Sequence, residues 1–264
     1  MKRIVITLVM YLTVCLLTPT TARAASGADV SDLWWNPSES GWGMQLVQQA
    51  TTVFATIFVY DTHGIPIWYT ATLNFLGVDP SGALSFSGDL YLTNGPWFGT
   101  VPFNPAQVAV RKVGTLTFAA TSVATAVLNY SVDSVAVTKN VQRQTLVLDD
   151  YNGSFYGVYR VQTTGCANPV NNQNLATPTA FTVVQSGSSM TISTASSITS
   201  CTYSGTYTQL GRVGQFNATY SCTNGEAGSA IFGEMNVQQF GLLARVKGSN
   251  NLGCTISANV GAAK

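Results

Sequence analysis

Few residues in this chain are of a type that carries acid–base or nucleophilic chemistry, and they are scattered. The 264-residue sequence contains one histidine, His63, within the turn-forming segment Asp61-Thr62-His63-Gly64. A Ser-His-Asp or Cys-His arrangement would have to operate through this single turn. His63 also lacks the neighbouring His or Cys residues that zinc sites require. We therefore interpret His63 as a solvent-exposed turn residue and expect no metal or other cofactor.

A pair of carboxylates is the remaining route to hydrolysis. Glycoside hydrolases hold two carboxyl groups about 5–10 Å apart across a cleft. Glu39 and Asp61 are the most suggestive pair because both flank tryptophans, but the 11 acidic residues lie mainly in turn-like segments. We interpret Glu39 as a turn residue that accepts hydrogen bonds from the backbone N–H groups of residues 40–42. The sequence thus predicts no catalytic residues.

The tryptophans are the main candidates for molecular recognition, because indole rings stack on sugars and line apolar pockets. Trp42 and Trp68 fall in predicted strands, where we interpret them mainly as plugs that seal the end of a β-barrel. Trp35 and Trp97 lie in proline-bearing loops, where recognition competes with a structural role, and we expect both loops at one barrel mouth. Asn36, Ser38 and Glu39 would supply polar contacts. The predicted ligand-binding residues are Trp34, Trp35, Asn36, Glu39, Trp42, Trp68 and Trp97.

The cysteines indicate disulfides rather than nucleophiles. Four of the five lie in the second half of the chain, at Cys166, Cys201, Cys222 and Cys254. In an exported chain four cysteines indicate two disulfides, for which three connectivities are possible. Cys201 and Cys222 lie symmetrically about a predicted turn at Gly211-Arg212, so we pair them. Cys166 then pairs with Cys254.

The N-terminus predicts export. Residues 1–24 combine Lys2 and Arg3, an apolar run over residues 4–17 and an Ala-x-Ala cleavage pattern that ends at Ala24, as secretory signals do. The run is too short to span a bilayer. Cleavage removes three of the 12 basic residues and leaves nine against 11 acidic ones, without any basic run. We predict a periplasmic or secreted protein with no nucleic-acid partner and no membrane insertion.

The residue pattern predicts an all-β fold. Apolar and polar residues alternate with period two along most of the chain, and hardly any segment has a helical period. About eight strands in each half predict two tandem, mainly antiparallel up-and-down barrels, over residues 25–150 and 151–264. The polar residues 149–153 form the expected join. A transmembrane barrel is the main alternative, and the cysteines disfavour it because such barrels seldom carry disulfides.

The predicted strands of the first half begin at Gly43 and end with two separate strands over residues 135–139 and 141–148. The segment Trp34-Trp35-Asn36-Pro37 is predicted as a turn. Residues 94–107 are predicted as a loop, because they contain three prolines that prevent ordinary strand pairing.

Two stretches carry a resemblance to known proteins. WWNPSESGWGMQL and FATIFVYDTHGIPIWYT in the first half, with CTYSGTYTQLGRVGQFNATYSC and a later Leu-Gly-Cys in the second, resemble a family of uncharacterised exported proteins of proteobacteria with a WWNPxESGWG motif. The resemblance implies export and β architecture and brings no catalytic residues. More loosely, the glycine-aromatic strand openings are similar to those of calycin-like barrels such as lipocalins and avidins, which is an analogy of fold alone.

The favoured function is that of an exported, non-enzymatic binding protein. The Trp-bearing loops of the N-terminal barrel would recognise a small apolar or sugar ligand, or an extracellular protein. An alternative is an inhibitor or accessory subunit of an extracellular hydrolase, which would insert a loop such as residues 94–107 into the active site. A glycoside hydrolase is the least favoured alternative. A hollow barrel would favour a small ligand, whereas a filled barrel with a projecting loop would favour a protein partner.

Overall fold

The chain folds into two closed antiparallel barrels of eight strands each, one after the other. This confirms the predicted all-β architecture. The computed structural model describes residues 29–80 and 82–264, so the predicted signal peptide lies outside the described residues. Each strand pairs with the next, and the last strand of each barrel pairs with the first, so that neither barrel leaves an edge strand exposed. Across the described ranges, no helix is long and apolar enough to cross a membrane.

The strands are long and joined mostly by short turns. The N-terminal barrel consists of β1 (Asp32–Trp35), β2 (Gly43–Gln49), β3 (Thr52–Tyr60), β4 (Pro66–Val78), β5 (Leu84–Asn94), β6 (Ala109–Ala120), β7 (Thr125–Val132) and β8 (Val135–Arg143). The C-terminal barrel consists of β9 (Gly153–Thr164), β10 (Asn174–Ser186), β11 (Ser189–Ser196), β12 (Ser200–Leu210), β13 (Val213–Cys222), β14 (Ala227–Gln238), β15 (Gly241–Asn250) and β16 (Thr255–Ala263). Single 3-10 turns occur at Pro105–Gln107 and Pro169–Asn171.

The interior of the N-terminal barrel is filled with side chains. Alternate positions of β3 point inward, and Val53, Ala55 and Ile57 there are completely buried. Large rings occupy the centre of the barrel, where Trp34 meets Phe118 edge-to-face with their centroids 4.9 Å apart. An eight-stranded barrel has just enough interior for such side chains.

The N-terminal barrel is closed by a strand that the sequence did not reveal. Residues 32–35, half of which were predicted as a turn, form β1 and pair with both β2 and β8. The predicted break near Asn140 is absent, because β8 runs without interruption from Val135 to Arg143. Residues 144–152 form the connection between the barrels and not an eighth strand. Residues 32–35 form a strand and not a turn because the side chain of Trp34 is buried in the core. This burial holds β1 in the sheet although Pro37 follows closely.

Antiparallel strand order gives each barrel two distinct ends. The loops β1–β2, β3–β4, β5–β6 and β7–β8 meet at one end of the N-terminal barrel, which we call the aromatic end. The loops β9–β10, β11–β12, β13–β14 and β15–β16 meet at one end of the C-terminal barrel, which we call the cystine end. The remaining two ends contact each other.

Two disulfides brace the cystine end, with the predicted connectivity confirmed. Cys201 and Cys222 lie directly opposite each other on β12 and β13, which makes their bridge a cross-strand staple. Cys166 and Cys254 join the loop after β9 to the start of β16, the first and last strands of the barrel. The second bridge therefore reinforces the seam where the barrel closes.

The contact between the barrels is built around a buried arginine. Arg143, at the end of β8, forms a 2.8 Å ion pair with Asp32 and lies over the ring of Trp34. The same carboxylate of Asp32 accepts a 2.9 Å hydrogen bond from the backbone N–H of Arg212 in the β12–β13 turn. A side chain at Gly211 would place its Cβ 2.2 Å from Asp32, so the close approach of this turn requires glycine. Each barrel therefore covers the inner end of the other.

Candidate functional site

The structure separates the five tryptophans into different environments. Trp34 is 1% exposed and donates its indole N–H to the carbonyl of Val30, so it lies in the core, away from any ligand at the surface. Trp35 is half-buried, and its indole nitrogen has no hydrogen-bond partner in the described part of the chain. Trp68 is 59% exposed, contrary to its interpretation as a plug, because alternation along β4 points Ile67 and Tyr69 inward instead.

The β1–β2 loop forms a small polar cluster at the aromatic end. The indole N–H of the half-buried Trp42 donates a 3.0 Å hydrogen bond to Glu39, which also binds Lys139 at 2.6 Å. The hydrogen bond from Lys139 is the main cause that lowers the pKa of Glu39. Glu39 thus binds two side chains and not the backbone amides we expected. Asn36 shapes the same loop, since its side-chain oxygen accepts a 2.9 Å bond from the N–H of Ser38.

The turn that contains His63 has an architectural role. The carboxylate of Asp61 accepts 2.9 Å and 2.8 Å hydrogen bonds from the backbone N–H groups of Ile65 and His63, which lower the pKa of Asp61. The His63 side chain is 80% exposed, and its Nδ1 lies 3.8 Å from Asp61. This placement fits a solvent-exposed turn residue. In residues 29–80 and 82–264 no group of three or more His, Cys, Asp or Glu is placed to hold a metal ion.

An aromatic crevice opens on the outer wall at the aromatic end. Phe58 on β3 and Trp68 on β4 are directly opposite each other in the sheet, and Trp68 donates a 3.3 Å hydrogen bond to Thr93 on β5. Together with Tyr60 these side chains line a crevice of about 580 Å³. Gly43 makes room for the Phe58 ring, which a Cβ at that position would approach to 2.9 Å. Val59, Ile67 and Leu92, which pack against the core, also line the crevice, so it lies at the rim of the barrel.

The β5–β6 loop, residues 95–108, projects from the same end and displays apolar side chains. Trp97 is 69% exposed, Phe98 88% and Val101 91%. The loop is nevertheless internally ordered, since the N–H of Thr100 bonds to the carbonyl of Trp97 at 2.9 Å and Asn104 caps the 3-10 turn at Pro105–Gln107. Trp35 is the last residue of β1 and not part of a loop, and it lies towards the same barrel end as the β5–β6 loop with Trp97.

Two exposed ion pairs involve the start of β6, directly after the β5–β6 loop. Arg111 binds Asp133, with one guanidinium nitrogen 2.9 Å from the carboxylate, and this hydrogen bonding lowers the pKa of Asp133. Lys112 binds Asp89 at 2.7 Å. An apolar centre with a polar rim is the usual organisation of a protein-interaction surface.

A second site, which we did not predict, lies inside the cystine end. A cavity of about 170 Å³ enters the C-terminal barrel there, whereas the N-terminal barrel is filled. Threonine hydroxyls from several strands line it, together with three tyrosines and one carboxylate. The principal residues are Tyr159, Thr179, Thr194, Tyr203, Tyr220 and Glu226. Ile198 and Asn224 at its rim are exposed, so the cavity is accessible from solvent.

Hydrogen bonds fix the polar side of this cavity. Tyr220 donates a 2.8 Å hydrogen bond to Oε1 of Glu226, which also accepts a 2.9 Å bond from Asn250. The rings of Tyr203 and Tyr220 stack with their centroids 5.0 Å apart. Burial raises the pKa of Tyr220, and the bond to Glu226 raises it further, so this hydroxyl remains a proton donor. A sequence signal did exist, since β12 and β13 place tyrosines and not aliphatic residues at the inward positions 203 and 220.

The buried tyrosines predict a loss of stability at alkaline pH. Burial raises the pKa of Tyr159 and Tyr203 and that of Tyr207 to about 12. The unfolded chain releases these protons near pH ~10, so the stabilisation is complete below that pH and decreases as the pH rises above it. Urea denaturation at a series of pH values between ~9 and ~11 should show the decrease. The Tyr203→Phe variant should lose less stability over this interval, and equal slopes for both proteins would contradict the assignment.

The comparisons with known proteins leave this geometry as the basis for a functional assignment. No protein-family model, curated protein or solved structure matches the chain.

Proposed function

We propose that this chain is an exported, non-enzymatic binding protein that recognises another protein through its aromatic end. The observation that carries the proposal is the β5–β6 loop, an internally hydrogen-bonded segment that presents Trp97, Phe98 and Val101 to solvent. Exposing such side chains is unfavourable unless they are covered in a complex. A preordered loop loses less conformational entropy on binding, which favours affinity.

A macromolecular partner is favoured over a small ligand at this end. The N-terminal barrel is packed with side chains, so a ligand cannot enter it. The exposed set also includes aliphatic side chains, Ile65 and Val101, beside the aromatic ones. Aliphatic side chains contribute little to the binding of a sugar ring, but they pack well in the apolar centre of a protein interface. The two ion pairs at the start of β6 would form part of the polar rim of that interface.

Insertion of the loop into the cleft of an extracellular hydrolase is a specific form of this proposal. The projecting, internally bonded loop supports it, since protease inhibitors bind with little change in backbone conformation. The two disulfides are compatible with an oxidising, exported location. A periplasmic or secreted location is part of this proposal, and the disulfides support it.

The test is a double variant of the loop. Because aromatic residues at an interface centre contribute ~2 kcal/mol or more, the Trp97→Ala/Phe98→Ala protein should bind its partner roughly 30-fold more weakly. Proteins captured from the exported fraction of the producing cells are identified, purified and titrated by calorimetry against both forms. Phe240→Ala, which removes a 73%-exposed ring from a turn of the other barrel, is the matched control. Equal affinity of wild type and double variant for every captured protein would refute the proposal.

A further inference from the structure

We infer that the cavity at the cystine end is a binding site for a small protonated amine. This site is separate from the surface proposed for protein recognition, and it belongs to the other barrel. Its volume of about 170 Å³ is close to that of a cavity known to hold one benzene molecule, ~150 Å³. A ligand with a single ring or a short carbon chain therefore fits.

The carboxylate of Glu226 makes the cavity selective for positively charged ligands. Glu226 is half-buried and is the one acidic or basic residue among those that line the cavity. Its Oε1 is occupied by Tyr220 and Asn250, whereas Oε2 accepts no hydrogen bond from the residues that the structure describes. None of the ion pairs found among those residues includes Glu226. A partly desolvated, unpaired carboxylate attracts a cation and repels an anion.

The backbone around Glu226 holds this carboxylate in place. The carbonyl of Glu226 accepts a 2.8 Å hydrogen bond from the N–H of Cys222, and its N–H bonds to the side chain of Asn224 at 3.1 Å. Cys222 is itself fixed to β12 through its disulfide with Cys201. The site is thus preorganised by a covalent link at its rim, which lowers the entropic cost of binding.

Aromatic and hydroxyl groups complete the match to an amine. Tyr159 lies on β9, on the opposite side of the barrel from Tyr203 on β12 and Tyr220 on β13. The side chains of Tyr159 and Tyr203 hydrogen-bond each other across the barrel, so these rings contribute to the wall of the cavity and do not enclose a ligand between them. Their π-systems attract cations.

The buried hydroxyl of Thr179 donates to the carbonyl of Thr177, so its oxygen retains lone pairs that can accept an N–H hydrogen bond. The hydroxyl of Thr194 is already bonded to the backbone of Cys201. An ammonium group offers N–H donors to the carboxylate of Glu226 and to a hydroxyl oxygen, whereas a quaternary cation lacks these donors.

The experiment compares three ligands of one shape and different charge on the mature protein. Benzylamine, benzyl alcohol and benzoate are titrated at neutral pH, with affinity measured by calorimetry and the site located by NMR of labelled tyrosines. We expect benzylamine to bind at least tenfold more tightly than benzyl alcohol, and benzoate not to bind. Equal affinity for amine and alcohol, or no binding of the amine, would overturn the inference.

A charge-neutral variant provides the second arm. In Glu226→Gln the amide oxygen still accepts from Tyr220 and Asn250, so the fold is retained while the charge is removed. Its affinity for benzylamine should fall at least tenfold, whereas Glu39→Gln, at the opposite end of the molecule, should bind like wild type. An unchanged affinity in Glu226→Gln would also overturn the inference. The Trp97→Ala/Phe98→Ala protein should bind benzylamine normally, which separates this result from the test of the aromatic end.

Discussion

Replacing Arg143 with methionine is expected to lower the free energy of unfolding by about 3–5 kcal/mol, since it breaks a buried ion pair. The side chain of Arg143 is 1% exposed and that of its partner Asp32 is 9% exposed. Methionine occupies a similar volume but leaves the carboxylate of Asp32 buried without a cation. The carboxylate then keeps only the backbone N–H groups of Leu33 and Arg212 as donors.

The loss extends beyond the ion pair, because the guanidinium of Arg143 also satisfies backbone carbonyls. Its Nε donates a 2.6 Å hydrogen bond to the carbonyl of Val123, and its terminal nitrogens bond to the carbonyls of Ser31 and Asp29. Methionine cannot replace these donors, and an unsatisfied buried carbonyl costs stability. The substitution therefore disturbs the N-terminal segment, the β6–β7 turn and the contact between the barrels at once.

The measurement is urea denaturation followed by tryptophan fluorescence. All five tryptophans belong to the N-terminal barrel, so their signal reports on that barrel. Arg111→Met, which removes the solvent-exposed ion pair with Asp133, is the control and should change stability far less. The double variant Asp32→Asn/Arg143→Met should recover part of the loss, because it removes the uncompensated charge. A small effect of Arg143→Met, similar to that of the control, would contradict the role assigned to this residue.

Most strands could be predicted from the sequence because almost every strand of a closed barrel alternates between inward and outward side chains. The C-terminal strands follow that pattern, as in β13 (Val213–Cys222), where Phe216, Ala218 and Tyr220 are buried at alternate positions. The exception was β1. Four residues are too few for alternation to be distinguished from a turn, and the adjacent Asn36-Pro37 is typical of turns. Only the long-range pairing of β1 with β8 identifies it as a strand.

The candidate sites were less predictable because they depend on packing between distant strands. Alternation did place Trp68 on the face opposite Ile67 and Tyr69, but both faces of the neighbouring β3 are apolar, which obscured which side was the interior. The cavity depends on a difference in side-chain volume. Near the aromatic end Tyr69 and Tyr130 pack against the core, whereas threonines occupy inward positions near the cystine end. Inward tyrosines indicate a polar interior, but no local pattern in the sequence encodes the empty space, which depends on side chains from distant strands.

Removing the disulfide between Cys166 and Cys254 is expected to have the second large effect, and a larger one than removing the other disulfide. The bridges span 88 and 21 residues. Because closing a longer loop restricts the unfolded chain more, replacement by alanine pairs should cost about 4–5 kcal/mol for Cys166–Cys254 and about 3 kcal/mol for Cys201–Cys222. Packing in the native state also predicts the larger loss of stability for the Cys166–Cys254 bridge. Cys201 and Cys222 are neighbours in a continuous hairpin that its own turn already holds together, whereas Cys166 and Cys254 join the strands at the seam of the barrel.

The two alanine pairs are each other's matched controls, measured by urea denaturation without reductant and followed by far-ultraviolet circular dichroism. Tryptophan fluorescence in the same samples monitors the N-terminal barrel, which contains no cysteine among its described residues. We expect the transition of the C-terminal barrel to move to lower urea, and further for Cys166→Ala/Cys254→Ala. If Cys201→Ala/Cys222→Ala is the more damaging change, the shorter bridge stabilises the native state through local geometry at the rim of the cavity, and loop closure is not the dominant cause.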